Sequence, residues 1–355
     1  MVLSFGANRL PSDEYLLFSL RETESNMILR PFKFVPYFKT VIWGGHKIAS
    51  YKGIVTDKNC IGESWEVSGV PGHESVVAEG PDKGLNLKEL IDKYKGELVG
   101  QPVYDRFGDK FPLLIKIIDA RRDLSVQVHP DDELAMKRHG SFGKTEMWYI
   151  IDAQPGSKIY AGLSKSITPD DYMRLVEEKK IMDVVAAHDS HKGDVFYLPA
   201  GRIHSIGAGN LFAEIQETSD ITYRVYDFDR RDSEGNTRDL HTELAKDAID
   251  YNVYDDYRRD YDKDATGVTP LIDCEYFDIK LVVVDDRLEL QCDGESFIII
   301  MCVEGEAKVI TDGGCVTTAG RGETLLVPAS TRSIAIEGNA KPVSYKHLRA
   351  HETVL

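Results

Sequence analysis

Lys192-Gly193-Asp194-Val195-Phe196-Tyr197-Leu198-Pro199-Ala200-Gly201-Arg202-Ile203-His204 is the stretch on which the fold of this chain turns. A glycine makes a turn, an apolar run has the character of a strand, and a proline and a glycine shape its far end before a histidine. The first part is echoed by Arg321-Gly322-Glu323-Thr324-Leu325-Leu326-Val327-Pro328-Ala329, at a constant offset of 129 residues. Ser333 stands in the second copy where His204 stands in the first. A repeated unit among many short strands predicts a mainly β protein built of two related jelly-roll β-barrels. Only the first barrel kept a histidine at this position.

The bulk numbers bound what such a protein does. With 355 residues the chain can bury a substantial core in one large or two medium domains. A net charge of -16 argues against nucleic acid and against anionic membrane surfaces, both of which need basic protein surface. No apolar run approaches the roughly 18 residues of a membrane span. Five cysteines without a CxxC pair suit a reducing cytoplasm and read as small core residues. Residues 1–26 are polar, show no sustained period and read as a leader outside the core. Residues 27–260 are expected to form the first, metal-binding barrel, with a helical insertion near 168–187. Residues 261–344 form the second barrel without metal ligands, and 345–355 an atypical basic tail.

Local signals place the elements. Thr168-Pro169-Asp170-Asp171 is a helix start with a cap, a proline in the first turn and early acids, and Asn86 caps another short helix. Phe111 to Ala120 reads as a strand buried on both faces, so Lys116 within it must meet an anion or a polar pocket. In Leu124-Ser125-Val126-Gln127-Val128-His129-Pro130-Asp131-Asp132, alternation puts Ser125, Gln127 and His129 on one face. Leu124, Val126 and Val128 then face the other way. A polar stripe on the buried face of a strand is costly unless something binds to it, and a metal ion is the economical occupant.

Gly193, Pro199, Gly201 and His204 match the second half-motif of the cupin superfamily. In the first half-motif, Gln127-Val128-His129 takes the place of the usual His-x-His, and Glu146 follows. Gln127 to Asp132, Lys144-Thr145-Glu146-Met147-Trp148-Tyr149, Pro199 to Ser205 and Trp43-Gly44-Gly45 together resemble the type I mannose-6-phosphate isomerases, in their short bacterial form. The resemblance runs from about Met27 to Ser344. It implies one zinc ion per chain held by Gln127, His129, Glu146 and His204, a donor set that suits a borderline ion. It also implies that Ser125, Lys116 and Lys144 line a sugar-phosphate site; beside them Arg202 is expected at the pocket rim, and Trp43 reads either as an aromatic floor for the sugar or as a core tryptophan. The segment Ala213 to Val225 resembles the one that brings a catalytic arginine, here Arg224, and an active-site acid, here Glu214. Glu217 and Asp220 in the same segment are left outside the site.

The implied activity is aldose–ketose isomerisation of mannose 6-phosphate and fructose 6-phosphate through an enediol. Negative charge on the enediol oxygens needs fixed positive partners, zinc and Arg224. Glu214, Lys144 and a water on the metal are all candidates for the proton shuttle. The expected partner is a phosphorylated hexose, and the chain is a monomer or homodimer. Two rivals are a cupin enzyme with a three-ligand metal site, against which Gln127 argues, and a non-catalytic sugar-phosphate-binding cupin. The latter would be expected to lose Arg224 or a ligand, and none is lost.

Overall fold

The computed structural model describes residues 29–231 and 234–347, so the leader at 1–26 and the last residues of the tail lie outside the described residues. Strands dominate, in three sheets whose pairings are all antiparallel. A seven-stranded sheet runs in the order Arg258–Arg259, Val195–Leu198, Glu146–Ala153, Asn210–Glu217, Leu113–Ala120, Tyr37–Gly45 and Ile61–Ser68. Facing it is a five-stranded sheet of Tyr223–Tyr226, Val126–Val128, His204–Ile206, Lys158–Leu163 and Val185–Asp189. Ile118, Trp148, Phe196 and Phe212 from the first sheet share one buried cluster with Ile159, Ala161 and Ile206 from the second. Each such large side chain contributes roughly 1.5–3 kcal/mol when withdrawn from water, which holds the two sheets face to face.

The third sheet has eight strands, built mainly from Gly267–Asp273, Phe277–Gln291, Ile298–Thr311, Val316–Gly320, Thr324–Val327 and Ser333–His347. It is completed from the other end of the chain: Phe32–Val35 pairs with Thr324–Val327, and Val76–Val77 with Phe32–Val35. Phe32, Ile115, Ile215, Phe277, Phe297 and Ile299 belong to one core that runs through both halves.

The repeat is visible in the backbone. Val195–Leu198 and Thr324–Val327 are strands at the 129-residue offset, each entered through a left-handed glycine, Gly193 (φ 80°) and Gly322 (φ 81°). The His191 N–H donates to Asp194 Oδ2 at 2.9 Å, and the Gly320 N–H donates to Glu323 Oε2 at 2.8 Å. Leu198 pairs with Glu146 where Val327 pairs with Ile298. The second copy therefore has Ile298 and Ser333 at the places of Glu146 and His204. Around them it packs carbon: Val282, Ile300, Cys302, Leu325 and Ile336 belong to one buried apolar cluster.

Two sequence expectations change on the outer face of the five-stranded sheet. The segment near 168–187 is helical only in its first half, Pro169–Glu177, which has a capping box between Thr168 and Asp171. After a short 3-10 turn, Val185–Asp189 is a strand, because its backbone extends the open edge of Lys158–Leu163. The helix buries Tyr172 and Leu175 against Val126 and Val128. Leu124 does not join those valines; it belongs to the cluster between the sheets and lines the cavity, because the regular strand spans only Val126–Val128.

Trp43-Gly44-Gly45 has a steric reason. A Cβ on Gly44 would lie 2.3 Å from the Cys60 carbonyl oxygen, and one on Gly45 would lie 2.2 Å from Asp119 Oδ2. The two glycines let this strand end press against its neighbours and leave Trp43 buried at the cavity wall.

Candidate functional site

Four side chains from both facing sheets meet at one buried point. His204 begins its strand in register with Gln127, and Glu146 begins a strand of the opposite sheet. The Gly201 N–H donates to the His129 carbonyl at 2.9 Å, so the turn before His204 is tied to the residue after Val128. His129 Nε2 lies 3.6 Å from Glu146 Oε2, and His204 Nε2 lies 3.3 Å from Glu146 Oε1. The Gln127 amide is 3.2 Å from His204 Nε2. Rotating that amide by half a turn presents its oxygen at the same place.

The far nitrogens of both rings are occupied. His129 Nδ1 is 2.8 Å from the Ile221 carbonyl, and His204 Nδ1 is 2.8 Å from the Arg202 carbonyl. Each Nδ1–H donates outward, which leaves Nε2 as an inward lone pair. Burial lowers both imidazoles, His204 to about 4 and His129 well below its ordinary value. Burial raises the Glu146 carboxyl to about 7, against the pull of Lys144. His129 Nε2 and Glu146 Oε1 are buried without a hydrogen-bond partner, and Glu146 Oε2 has the Lys144 ammonium beside it. Orphaned acceptors converging in a dry site fit a cation. Two donors at about 2.0–2.1 Å from one tetrahedral ion sit about 3.3 Å apart, close to the spacings found here.

Above this point opens a cavity of about 420 Å³. Trp43, Lys116, Ser125, Gln127, Lys144, Glu214 and Arg224 all line it. Lys116 Nζ donates to Glu214 Oε1 at 2.8 Å and to Gln216 Oε1 at 2.6 Å, while Trp148 Nε1 donates to Glu214 Oε2 at 3.1 Å. Burial works against charge on this pair, but each partner outweighs it: Lys116 is raised by Glu214 and Glu63, and Glu214 is lowered by Lys116 and Lys144. Lys144 Nζ stands 3.0 Å from Glu146 Oε2. Arg224 donates from Nη1 to the Asp239 carbonyl at 2.9 Å, and its Nε has no acceptor. Burial lowers its guanidinium.

Arg202 departs from the expectation. It is buried away from the cavity, over the rings of Tyr254 and Tyr257, and donates to the Tyr197 carbonyl. Its backbone carbonyl, not its charge, serves the site. Asp220, left outside the site by the sequence, lines the cavity, and several lining residues escape the sequence reading: Lys39, Glu63, Trp65, Thr222 and Arg238. Glu63 and Trp65 carried a signal, since they share a face of the alternating Ile61–Ser68 strand. Arg238 lies in an aperiodic loop and carried none. The wall thus sets Lys39, Lys116, Lys144, Arg224 and Arg238 against Glu63, Glu214 and Asp220, a cationic excess within an acidic protein.

Residues 32–149 match the family described as phosphomannose isomerase type I, catalytic domain, and residues 268–345 match the mannose-6-phosphate isomerase cupin domain. The chain is 36% identical over 318 residues to mannose-6-phosphate isomerase ManA of Bacillus subtilis, covering 89% of this chain and 98% of that protein. It is 31% identical over 304 residues to the mannose-6-phosphate isomerase of Streptococcus mutans, covering 85% and 94%. A crystal structure of the mannose 6-phosphate isomerase from Bacillus subtilis superposes with a TM-score of 0.80 at 31% identity, covering 89% of this chain and 99% of that one.

Proposed function

The chain belongs to the type I phosphomannose isomerase family, and from that premise we propose that it interconverts mannose 6-phosphate and fructose 6-phosphate with one zinc ion, through an enediol. The observation that carries the metal is the buried trio His129, Glu146 and His204, with Gln127 beside it and with His129 Nε2 and Glu146 Oε1 left unpartnered. Bound there, the ion would act as a Lewis acid on substrate oxygens. We read the facing seven- and five-stranded sheets, and the eight-stranded sheet, as the two jelly rolls of the repeat.

The side chains divide the remaining work. Arg224, with a donor to spare, stabilises negative charge on the substrate as the proton leaves carbon. Glu214 has both oxygens engaged and is held ionised, so it is a weak base; its role is to fix Lys116 in the wall. Lys144 Nζ, at the cavity wall beside Glu146, acts in its amine form, taking the proton from C2 and returning it to C1. Trp43 and Ser125 border the sugar, and the cationic wall draws in the phosphate. No disulfide joins the five cysteines, in keeping with a cytoplasmic enzyme.

The test is a coupled assay on mannose 6-phosphate, with and without chelator, beside metal analysis of protein purified without added zinc. Turnover that chelation abolishes and zinc restores is expected. Full turnover in metal-free protein would overturn the zinc reading, and no turnover with metal bound would favour a binding protein.

A further inference from the structure

Glu217 ends the strand Asn210–Glu217 and does not line the cavity above the metal ligands. Its carboxylate reaches the backbone that carries two site residues. Oε2 accepts from the Thr145 N–H at 2.7 Å, and the Glu217 N–H donates back to the Thr145 carbonyl at 3.2 Å. The Gly143 N–H donates to Asp132 Oδ1 at 2.7 Å, and the Lys144 N–H to the Pro130 carbonyl at 3.1 Å. Three consecutive amides are therefore gripped from two sides, by the turn after His129 and by the end of the strand bearing Glu214. Gly143 is fitted to this grip, since a Cβ there would lie 2.6 Å from the Asp132 nitrogen. From the clamped backbone Lys144 extends to Glu146 and the cavity.

Glu217 is only 6% exposed and borders a separate cavity of about 130 Å³ with Arg106, Asp132, Glu275 and Tyr276. Burial, reinforced by Asp132, pushes its carboxyl up to about 8. An amide in its place would match the uncharged acid in size and keep an acceptor for Thr145.

We propose that Glu217 is a positioning residue: by holding Thr145 it sets where Lys144 Nζ stands over Glu146 and the substrate. This rests on the reading of Lys144 as the proton carrier. The test is a cycle of Glu217→Ala, Glu217→Gln and Lys144→Met in the metal-loaded enzyme, reading kcat, KM and bound metal. Lys144→Met is expected to lower kcat at least about a hundredfold. Glu217→Ala should lower kcat about tenfold, through misplacement, with KM and metal content unchanged. Glu217→Gln should restore it, and Glu217→Ala should cost nothing further on the Lys144→Met background. Should the alanine variant not fold, Glu217→Asp shortens the reach by one methylene and gives the same readout. Wild-type turnover in Lys144→Met would sink the reading of Lys144. A slow Lys144→Met with normal Glu217→Ala, fully additive losses, or metal loss in Glu217→Ala would overturn the positioning role alone.

Discussion

Lys116 and Glu214 face one another in register on adjacent strands, 2.8 Å apart and both almost wholly buried. Removing one partner leaves the other charge stranded in the wall. Lys116→Met is expected to lose about 3–5 kcal/mol of stability, read as a lowered urea midpoint, and Lys116→Met with Glu214→Gln to recover part of it. A single-variant loss under about 1 kcal/mol would mean that the pair is not dry.

Arg224→Ala is expected to lower kcat by about 10²–10³, the usual loss for one preorganised donor facing developing charge. Metal content should stay the same. Wild-type turnover at saturating substrate would remove Arg224 from the chemistry.

Metal removal should lower the melting temperature as well as the activity. An ion at 100 times its Kd stabilises the folded state by about 2.7 kcal/mol. His204→Ala should abolish both the stoichiometric ion and its stabilisation. As pH falls through about 7, Glu146 takes up a proton that the ion must displace, so metal affinity should fall. An unchanged melting curve on chelation would count against the site.

Glu217 supplies a pH test independent of activity. Its folded pKa, about 8, lies above the ordinary carboxylate value. Its contribution to stability is fully present below about pH 4.5 and is lost as pH rises through about 8. Glu217→Gln should therefore be more stable than wild type at about pH 9 and similar to it at about pH 5, in urea melts. Parallel curves for the two proteins would show that Glu217 does not titrate in this range.

Alternation puts Gln127 and His129 on one strand face and the turn motif supplies His204, but that Glu146 joins them is legible only through the family resemblance. Lys116 is legible as half of something: a lysine in an apolar strand demands a partner. That the partners are Glu214 and Gln216 depends on sheet order, which local pattern does not carry. Leu124 and Arg202 mislead for a related reason. Alternation does not extend beyond a three-residue strand, and a charged residue beside a ligand points to solvent in one dimension although two tyrosine rings cover it in three. Arg238 has no periodic neighbour to point inward. The repeat is legible through its turn, whose glycine conformation both copies share.

The pairing of Phe32–Val35 with Thr324–Val327 also has a consequence during synthesis. The first of these strands leaves the ribosome about 290 residues before its partner, and at 5–20 residues per second it waits roughly 15–60 s with an unpaired edge. The eight-stranded sheet, and the core it shares with the catalytic half, can close only once Thr324–Val327 has been made. Until then that edge is open to other chains, and crowding of nascent chains would be expected to lower the yield of folded protein.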